Sequence, residues 1–471
     1  MDDNRFDPIA VSRHLANSYS EYLATTIRFG DPSLQKQLEE ILSRSGFLSK
    51  GPFLEATPPY TKGLSIRQLV EQETLCEGML SLGAGNRELF DPDLVLYEHQ
   101  VKAIKMAHMG KNYIVTTGTG SGKTECFILP ILDDILREQA RSGPSAGVRA
   151  MILYPMNALA NDQLKRLRHL LRGTKITFGR YVGDTPEKRP DAQNAWSVDH
   201  PGEDPLSNEL LSREEMRATP PNILLTNYSM LEYLLLRPKD AAFFSSVFGS
   251  GWRHIAIDEA HVYSGTLGTE IAYLLRRLKA RVKQATGRDM SLRCYATSAT
   301  MGSDKDRPQI AKFAEDLFGE PFDHDENPAV IDSLKEDPMA YFCDDPWGSL
   351  PPERWEALRN AIADENPTRS GLKAALTGAI PDSKIGSLEG KDPRAWLSEL
   401  LLGDRNSKKV VHRVSSSTSD PLDLTDLSRL TELEIDGLPC DTQGAAELSA
   451  LVEVLSFAEF SSGVPILASR Y

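Results

Sequence analysis

The stretch NYIVTTGTGSGKTECFILPILDDIL, beginning at Asn112, places three glycines ahead of a lysine and a threonine. An apolar strand leads into Gly118, Thr119, Gly120, Ser121 and Gly122, and an amphipathic helix follows Lys123-Thr124. A polyphosphate needs several backbone N–H donors at close range, which glycines permit and a helix N-terminus supplements. In that setting Lys123 meets the β and γ phosphates and the Thr124 hydroxyl ligates Mg2+. The usual pattern has Gly or Ala five residues before Gly122, where this chain has the small β-branched Thr117. A glycine-rich turn without a ligand is the alternative, and the flanking strand and helix speak against it.

A second group of reactive side chains lies in HIAIDEAHVYSG. The apolar run ends in Asp258-Glu259, so both acids emerge at the C-terminal tip of a strand, the edge where doubly wound sheets hold their ligands. Asp258 suits the outer coordination of a metal, and Glu259 is placed to orient or deprotonate an attacking water. Taken alone, the acid pair could equally cap a helix. With a Lys-Thr loop upstream, that alternative loses most of its weight.

These groups need a scaffold that brings distant segments together. NYIVTT, RAMILYP, ITFGRYV, NILLTN, HIAIDEA and RCYATSAT read as short strands, and helical patterns separate most of them. Such βαβ alternation predicts an α/β lobe over 96–320, a mostly parallel sheet with helices on both faces. The polar, proline-rich segment 186–221 is expected to interrupt it as a mobile surface loop. Residues 1–95 read as a helical extension, with Gly46 as a C-cap and Ser65 as an N-cap. Residues 321–471 lose the strand rhythm and read as mainly helical, with KKVVHRV a candidate strand.

Composition sets the outer bounds. A chain of 471 residues, 40% hydrophobic and 25% charged, suggests about three globular domains. The start, MDDNRFDPIA, lacks the basic and apolar regions of a signal peptide, and no apolar run approaches the ~18 residues of a membrane span. Cys76, Cys126, Cys294, Cys343 and Cys440 form no CxxC pair, which indicates neither zinc nor disulfides and fits a cytoplasmic location. The net charge of −14 is unevenly distributed: residues 321–471 carry 27 acids and 14 bases, a net of −13. The remainder is close to neutral and can carry local basic patches for nucleic acid.

With these residues assembled, the chain resembles superfamily two helicases of the DEAD/DEAH-box kind. Asp258-Glu259-Ala260-His261 and Ser298-Ala299-Thr300 match two motifs of that family, and LYEHQ, YPMNALANDQ and LLTNYSML look like three more, in the family's order. The resemblance covers about residues 90–320. It implies that Gln100 reads the adenine edge, and that His261 with Ser298, Ala299 and Thr300 couples the ATP site to movement of a second lobe. It implies further that Asn157, Gln163, Thr226 and Asn227 meet nucleic-acid phosphates, with Gly183 and Thr185 of RYVGDT as additional candidates. Lys165, Arg166, Arg168 and Arg172, on the helix after YPMNALANDQ, are either a solvated basic face or further backbone contacts. Contacts of this kind are largely sequence-independent and salt-sensitive.

A narrower resemblance rests on FLSKGPFLEATPPYTKGLSIRQL, TNYSMLEYLLLRP and the terminal VPILASRY. These are similar to large bacterial DNA helicases of repair and of anti-phage systems such as DISARM and Druantia. In that group an insertion, often winged-helix-like, separates two motor lobes, and residues 321–471 would be that insertion. Their acidity argues for a protein contact or an interlobe wedge. No second glycine-bearing βαβ series or QxxGRxGR-like stretch follows Thr300, so the expectation is a first motor lobe that hydrolyses ATP poorly without a second lobe in cis or in trans. The rival expectation is a nucleotide-gated binding module that recruits a partner without unwinding.

Overall fold

The computed structural model describes residues 8–42, 47–48, 53–56, 60–118, 120–287, 292–299, 306–322, 329–362, 367–415, 422–423, 427–435, 437–458, 466–467 and 469–470. The chain divides into two compact units: Tyr60–Leu334, and Met1–Pro59 together with Lys335–Tyr471.

In the first unit, eight strands form one sheet: β1 (Tyr113–Thr116), β2 (Ala150–Leu153), β3 (Phe178–Tyr181), β4 (Glu209–Leu210), β5 (Ile223–Thr226), β6 (His254–Ile257), β7 (Arg293–Ser298) and β8 (Val330–Asp332). Their spatial order is β8-β1-β7-β6-β2-β5-β3-β4, and every pairing is parallel. The principal helices are α1 (Glu98–His108), α2 (Glu125–Ser142), α3 (Asn157–Leu171), α4 (Arg189–Asp199), α5 (Arg213–Ala218), α6 (Tyr228–Leu236), α7 (Gly265–Thr286) and α8 (Arg307–Phe318). This is the RecA-like arrangement.

A parallel sheet is covered on both faces, so its strands read as unbroken apolar runs. All four residues of β1, β2, β5 and β6 are buried. Successive side chains point to opposite faces. Tyr113, Val115, Ile152 and Ala256 pack with Ile104, Phe127 and Leu167 of α1, α2 and α3. Ile114, Met151, Ile255 and Ile257 pack with Leu231, Leu274 and Leu317 of α6, α7 and α8. The strand order sets β1, β7 and β6 side by side, with β2, β5 and β3 next to them. Their C-terminal ends therefore deliver two clusters of loops to one edge.

Three details differ from the expectations. The strand rhythm does not end near Pro321, because β8 pairs with β1; three residues are too few to read as a strand from sequence. The units also part at 59/60 and 334/335 rather than at 95/96 and 320/321. Ser65 caps the helix Ile66–Glu71 in a capping box with Gln68, and Ile66 and Leu69 enter the same core as α1, α2 and α3. Finally, segment 186–221 is not a loop: it forms α4, β4 and α5.

That segment is held by charge rather than by apolar periodicity. Arg168 of α3 grips Glu209 of β4 with three N–H to carboxylate bonds of 2.8–3.0 Å and lies 4.4 Å from the Trp196 ring centroid. Ser212 starts α5 in a second capping box, with Glu215, and Arg217 bonds Asp240 at 2.6 Å. Breaking a buried pair by removing one partner costs about 3 kcal/mol. Arg168→Ala is therefore expected to open α4 and β4 first. Limited proteolysis should show early cuts within 189–210 while the rest of the unit stays protected; a digestion pattern like the wild type's would show that the clasp is dispensable.

The second unit is mostly helical. Helices Trp355–Ala361, Pro393–Leu402 and Thr442–Phe457 bury Trp355, Trp396, Leu448 and Leu451 in one core. Strand Phe53–Ala56 pairs antiparallel with Leu422–Asp423 and Ser469–Arg470, so the chain's two terminal regions share one small sheet. KKVVHRV is helical, within Arg405–Ser415, and not a strand: Val410, Val411 and Val414 share one buried face at helical spacing. Gly46 lies outside the described residues. Among the described residues, no helix is long and apolar enough to cross a membrane.

Candidate functional site

β1 ends in Thr116, and the glycine loop turns back over its C-terminal end into α2. Gly120 and Gly122 have φ of 77° and 69°, the left-handed region that glycine adopts without strain. A side chain at Gly122 would also come within 2.3 Å of Gln100 Nε2, whereas the space around Gly120 is open. Thr117 is buried, and its hydroxyl lies 2.5 Å from the Ser121 hydroxyl, closing the loop across its base. The unusual residue at this position thus adds a bond that Gly or Ala could not make. Thr119 lies outside the described residues.

Lys123 links three strands. Its ammonium donates to the carbonyls of Thr117 at 3.3 Å and Ser298 at 3.2 Å, and it lies 3.4 Å from Glu259 Oε1. Those partners follow β1, end β7 and follow β6, respectively. The Thr297 hydroxyl donates to Asp258 and accepts from the Glu259 backbone N–H at 3.2 Å. That second bond secures Glu259 in the left-handed region, φ 51°, which a residue with a Cβ avoids. Burial pushes the Asp258 carboxyl above its ordinary pKa, as does the neighbouring Glu259 charge, while the Thr297 bond and Lys123 oppose the rise.

Glu259 Oε2 is buried and has no hydrogen-bond partner among the described residues. His261 Nδ1 lies 3.3 Å from it but accepts from the Ala299 N–H at 3.4 Å, so that nitrogen has no proton to offer. Ser298 Oγ is likewise buried without a partner. His261, Ser298 and Ala299 are thus brought together; Thr300 lies outside the described residues.

Gln100 is buried. Its Oε1 accepts from the Tyr97 N–H at 2.8 Å and its Nε2 donates to the Gly122 carbonyl at 2.9 Å. The amide therefore anchors the loop and keeps one further donor and one lone pair. Beside it are residues the sequence reading missed. His99 Nε2 bonds the Ser121 carbonyl at 2.8 Å, and burial lowers the imidazole pKa. Tyr60 and Tyr97 form an aromatic cluster with His99, with ring centroids 5.4–5.6 Å apart. Tyr60 Oη would lie 3.0 Å from a Cβ at Gly118. Their only signal was adjacency to Gln100 and a proline-flanked tyrosine.

These contacts make Gly122→Ala a sharp test of the loop. The added methyl meets Gln100, and the left-handed backbone adds about 1–2 kcal/mol of strain. Nucleotide affinity is expected to fall at least about tenfold, since 1.4 kcal/mol is a factor of ten, with an unchanged circular dichroism spectrum. Wild-type affinity in this variant would show that the loop does not hold the nucleotide.

The second loop cluster lies over β2, β5 and β3. Asn157 is exposed at the first turn of α3, whose preceding residue, Met156, makes no side-chain cap. Asn227 caps α6 through Met230 N–H and donates to Asn157 Oδ1 at 2.9 Å. Gln163 is half-buried, and its Oε1 has no partner among the described residues. Thr226 and Thr185 are turned inward: Thr226 Oγ1 donates to the Tyr181 carbonyl at 2.7 Å, and Thr185 Oγ1 to the Arg180 carbonyl at 2.9 Å. Gly183 is exposed, and its carbonyl accepts from Arg213. The basic helix is half committed: Arg168 serves the clasp and Arg166 pairs with Glu125, while Lys165 and Arg172 are exposed.

A metal at Thr124 and Asp258 would not have an all-protein cage: the described residues hold no cluster of three His, Cys, Asp or Glu groups suited to a metal. One hydroxyl and one carboxylate suit Mg2+, which keeps several waters and shares its sphere with substrate phosphates.

Residues 97–307 match the model of the DEAD/DEAH box helicase family. The chain is 30% identical to the Druantia protein DruE of Escherichia coli over 396 residues, 65% of this chain and 21% of DruE. It is 30% identical to the ATP-dependent helicase YprA of Bacillus subtilis over 231 residues, 48% of this chain and 25% of YprA. The chain thus spans a quarter or less of either relative. Among solved structures, the DUF1998 helicase MrfA bound to DNA aligns at 18% identity, covering 82% of this chain and 51% of MrfA, with a TM-score of 0.42. Residues 97–307 of this chain are a DEAD/DEAH box helicase domain.

Proposed function

We propose that the unit Tyr60–Leu334 is the ATP-binding first motor lobe of an ATP-dependent DNA helicase or translocase acting in bacterial DNA repair or anti-phage defence. The observation that carries this reading is the position of Lys123, held between the glycine loop, Ser298 and Glu259 at the ends of three adjacent strands. A triphosphate entering there gives the ammonium stronger partners than two neutral carbonyls.

In this reading the loop from Gly118 to Gly122 presents N–H groups to the phosphates, and Lys123 meets the terminal ones. Thr124 and Asp258 hold Mg2+, which neutralises charge on the β and γ oxygens when bound. Glu259 orients the attacking water and takes its proton; its unpartnered Oε2 leaves an acceptor open for that bond. Gln100 uses its remaining donor and lone pair on the adenine edge, beside the aromatic face of Tyr60. Asn157, Asn227, Gln163 and the uncapped start of α3 meet the backbone of a DNA strand, with Gly183 at the margin. Thr226 and Thr185 shape that surface from beneath. A second lobe, in cis or in trans, completes the site through His261 and Ser298, and the acidic unit is an accessory domain for a protein contact.

The test is steady-state ATP hydrolysis by residues 1–471, with and without single-stranded DNA, using Glu259→Gln as the blank. Weak turnover with measurable ATP and DNA binding is expected. A chain that binds neither ligand would sink the reading. Strong DNA-stimulated turnover would show that the site is completed within this chain or by a second copy of it.

A further inference from the structure

The helix that begins at the proposed nucleic-acid contacts also reaches the ATP loop. α3 starts at Asn157, which bonds Asn227, and runs 15 residues to Leu171. Gln163 and Arg166, three residues apart, lie on neighbouring turns of one face. The Arg166 guanidinium pairs with Glu125, the first residue of α2 and the residue after Thr124. Glu125 Oε2 has no hydrogen-bond partner among the described residues and would lie 3.1 Å from a Cβ at Gly122. A carboxylate there is thus tied to the turn that cradles the phosphates.

The charges explain why such a pair would respond to both ligands. Glu125 is favoured by the N-terminal end of the helix dipole but opposes a polyphosphate arriving at that same end. Arg166 offsets the opposition only while it stays in place. The pair also has room to shift, because it borders a cavity of about 310 Å3 lined in part by Leu89, Phe90, His169 and Leu170. Side-chain exposures of 42% for Arg166 and 19% for Glu125 place the pair at the cavity's mouth rather than in a locked core.

We propose that the Arg166–Glu125 pair transmits the state of the nucleic-acid contacts on α3 to the phosphate loop, so that nucleotide and nucleic acid bind with mutual dependence through it. Both are positioning residues in this role. The inference rests on the ATP and nucleic-acid reading above. A strand that draws α3 toward its phosphates displaces Arg166 relative to Glu125 and changes the charge that the incoming triphosphate meets. Linkage then requires the triphosphate to change nucleic-acid affinity by the same factor.

The test measures the affinity of residues 1–471 for a non-hydrolysable ATP analogue with and without a saturating single-stranded oligonucleotide, and the affinity for the oligonucleotide with and without the analogue. The wild type is expected to show a ratio of about fivefold or more in both directions. Arg166→Gln and Glu125→Gln should bring the ratio close to one, and Arg166→Lys, which keeps the charge, should retain most of it. A merely structural defect lowers both affinities and leaves the ratio alone. A wild-type ratio in both Gln variants would overturn the proposal, as would a wild-type ratio of one with both ligands bound. Failure of the wild type to bind either ligand would instead refute the functional reading beneath it.

Discussion

Lys123→Ala is expected to weaken ATP binding at least about 100-fold, the loss of roughly two charge-assisted hydrogen bonds at 1.5 kcal/mol or more each. The lysine is buried, and its contacts in the protein are two carbonyls and Glu259 at 3.2–3.4 Å. Neutral carbonyls compensate poorly for a desolvated ammonium. Removing the charge therefore takes away an unfavourable burial together with a modest ion pair, and the two changes oppose each other in the fold's stability. Melting temperature should move by no more than about 3 °C, which in a domain of this size corresponds to roughly 1 kcal/mol. Titration of a fluorescent ATP analogue, paired with a thermal melt, separates the two effects. Wild-type affinity would remove Lys123 from the phosphate site, and a collapsed melt would make it a structural residue.

The fold and the candidate site were legible to different degrees. Four of the six strands read from the sequence, β1, β2, β5 and β6, could be read because burial on both faces makes each a nearly continuous apolar run, and the glycine loop because its left-handed turns demand glycine. The acids after Ile257 could be placed because a strand's end fixes where its next residues emerge. β8 could not be read, since three residues carry no period, and the segment 186–221 looked like a loop because its order comes from Arg168, Glu209, Trp196 and Arg217. Such polar pairings join positions tens of residues apart and leave no local pattern.

Side-chain commitments were the least legible layer. Thr226 and Thr185 look like surface hydroxyls in sequence, yet both are turned onto backbone carbonyls, Thr226 across to the neighbouring strand at Tyr181 and Thr185 back within its own turn at Arg180. Arg166 and Arg168 look like one basic face, yet each has its own carboxylate. Helical spacing shows which residues share a face but not which acids the neighbouring elements bring to it. For the same reason the sharing of one small sheet by strand Phe53–Ala56 and the chain's other terminal region had no sequence signal.

Glu259→Gln is expected to separate binding from chemistry. General-base assistance contributes about 10²–10⁴ to a rate, so any DNA-stimulated turnover of the wild-type chain should fall by about that much. Binding should not fall with it. Glu259 Oε1 holds the Lys123 ammonium at 3.4 Å, and the carboxylate adds negative charge where phosphates must sit. Gln keeps the shape, and the Thr297 hydroxyl still accepts the backbone N–H of residue 259, so the left-handed turn survives the exchange. With the repulsion gone and the lysine released from its ion pair, ATP affinity should stay at or above the wild-type level. Single-turnover hydrolysis at excess protein, measured beside an equilibrium titration, checks both halves. Turnover within about threefold of wild type would move the base to another residue, because it falls short of the smallest contribution expected of one. Weakened ATP binding with turnover lost would make Glu259 a structural support for Lys123, and the open Oε2 would then have no catalytic meaning.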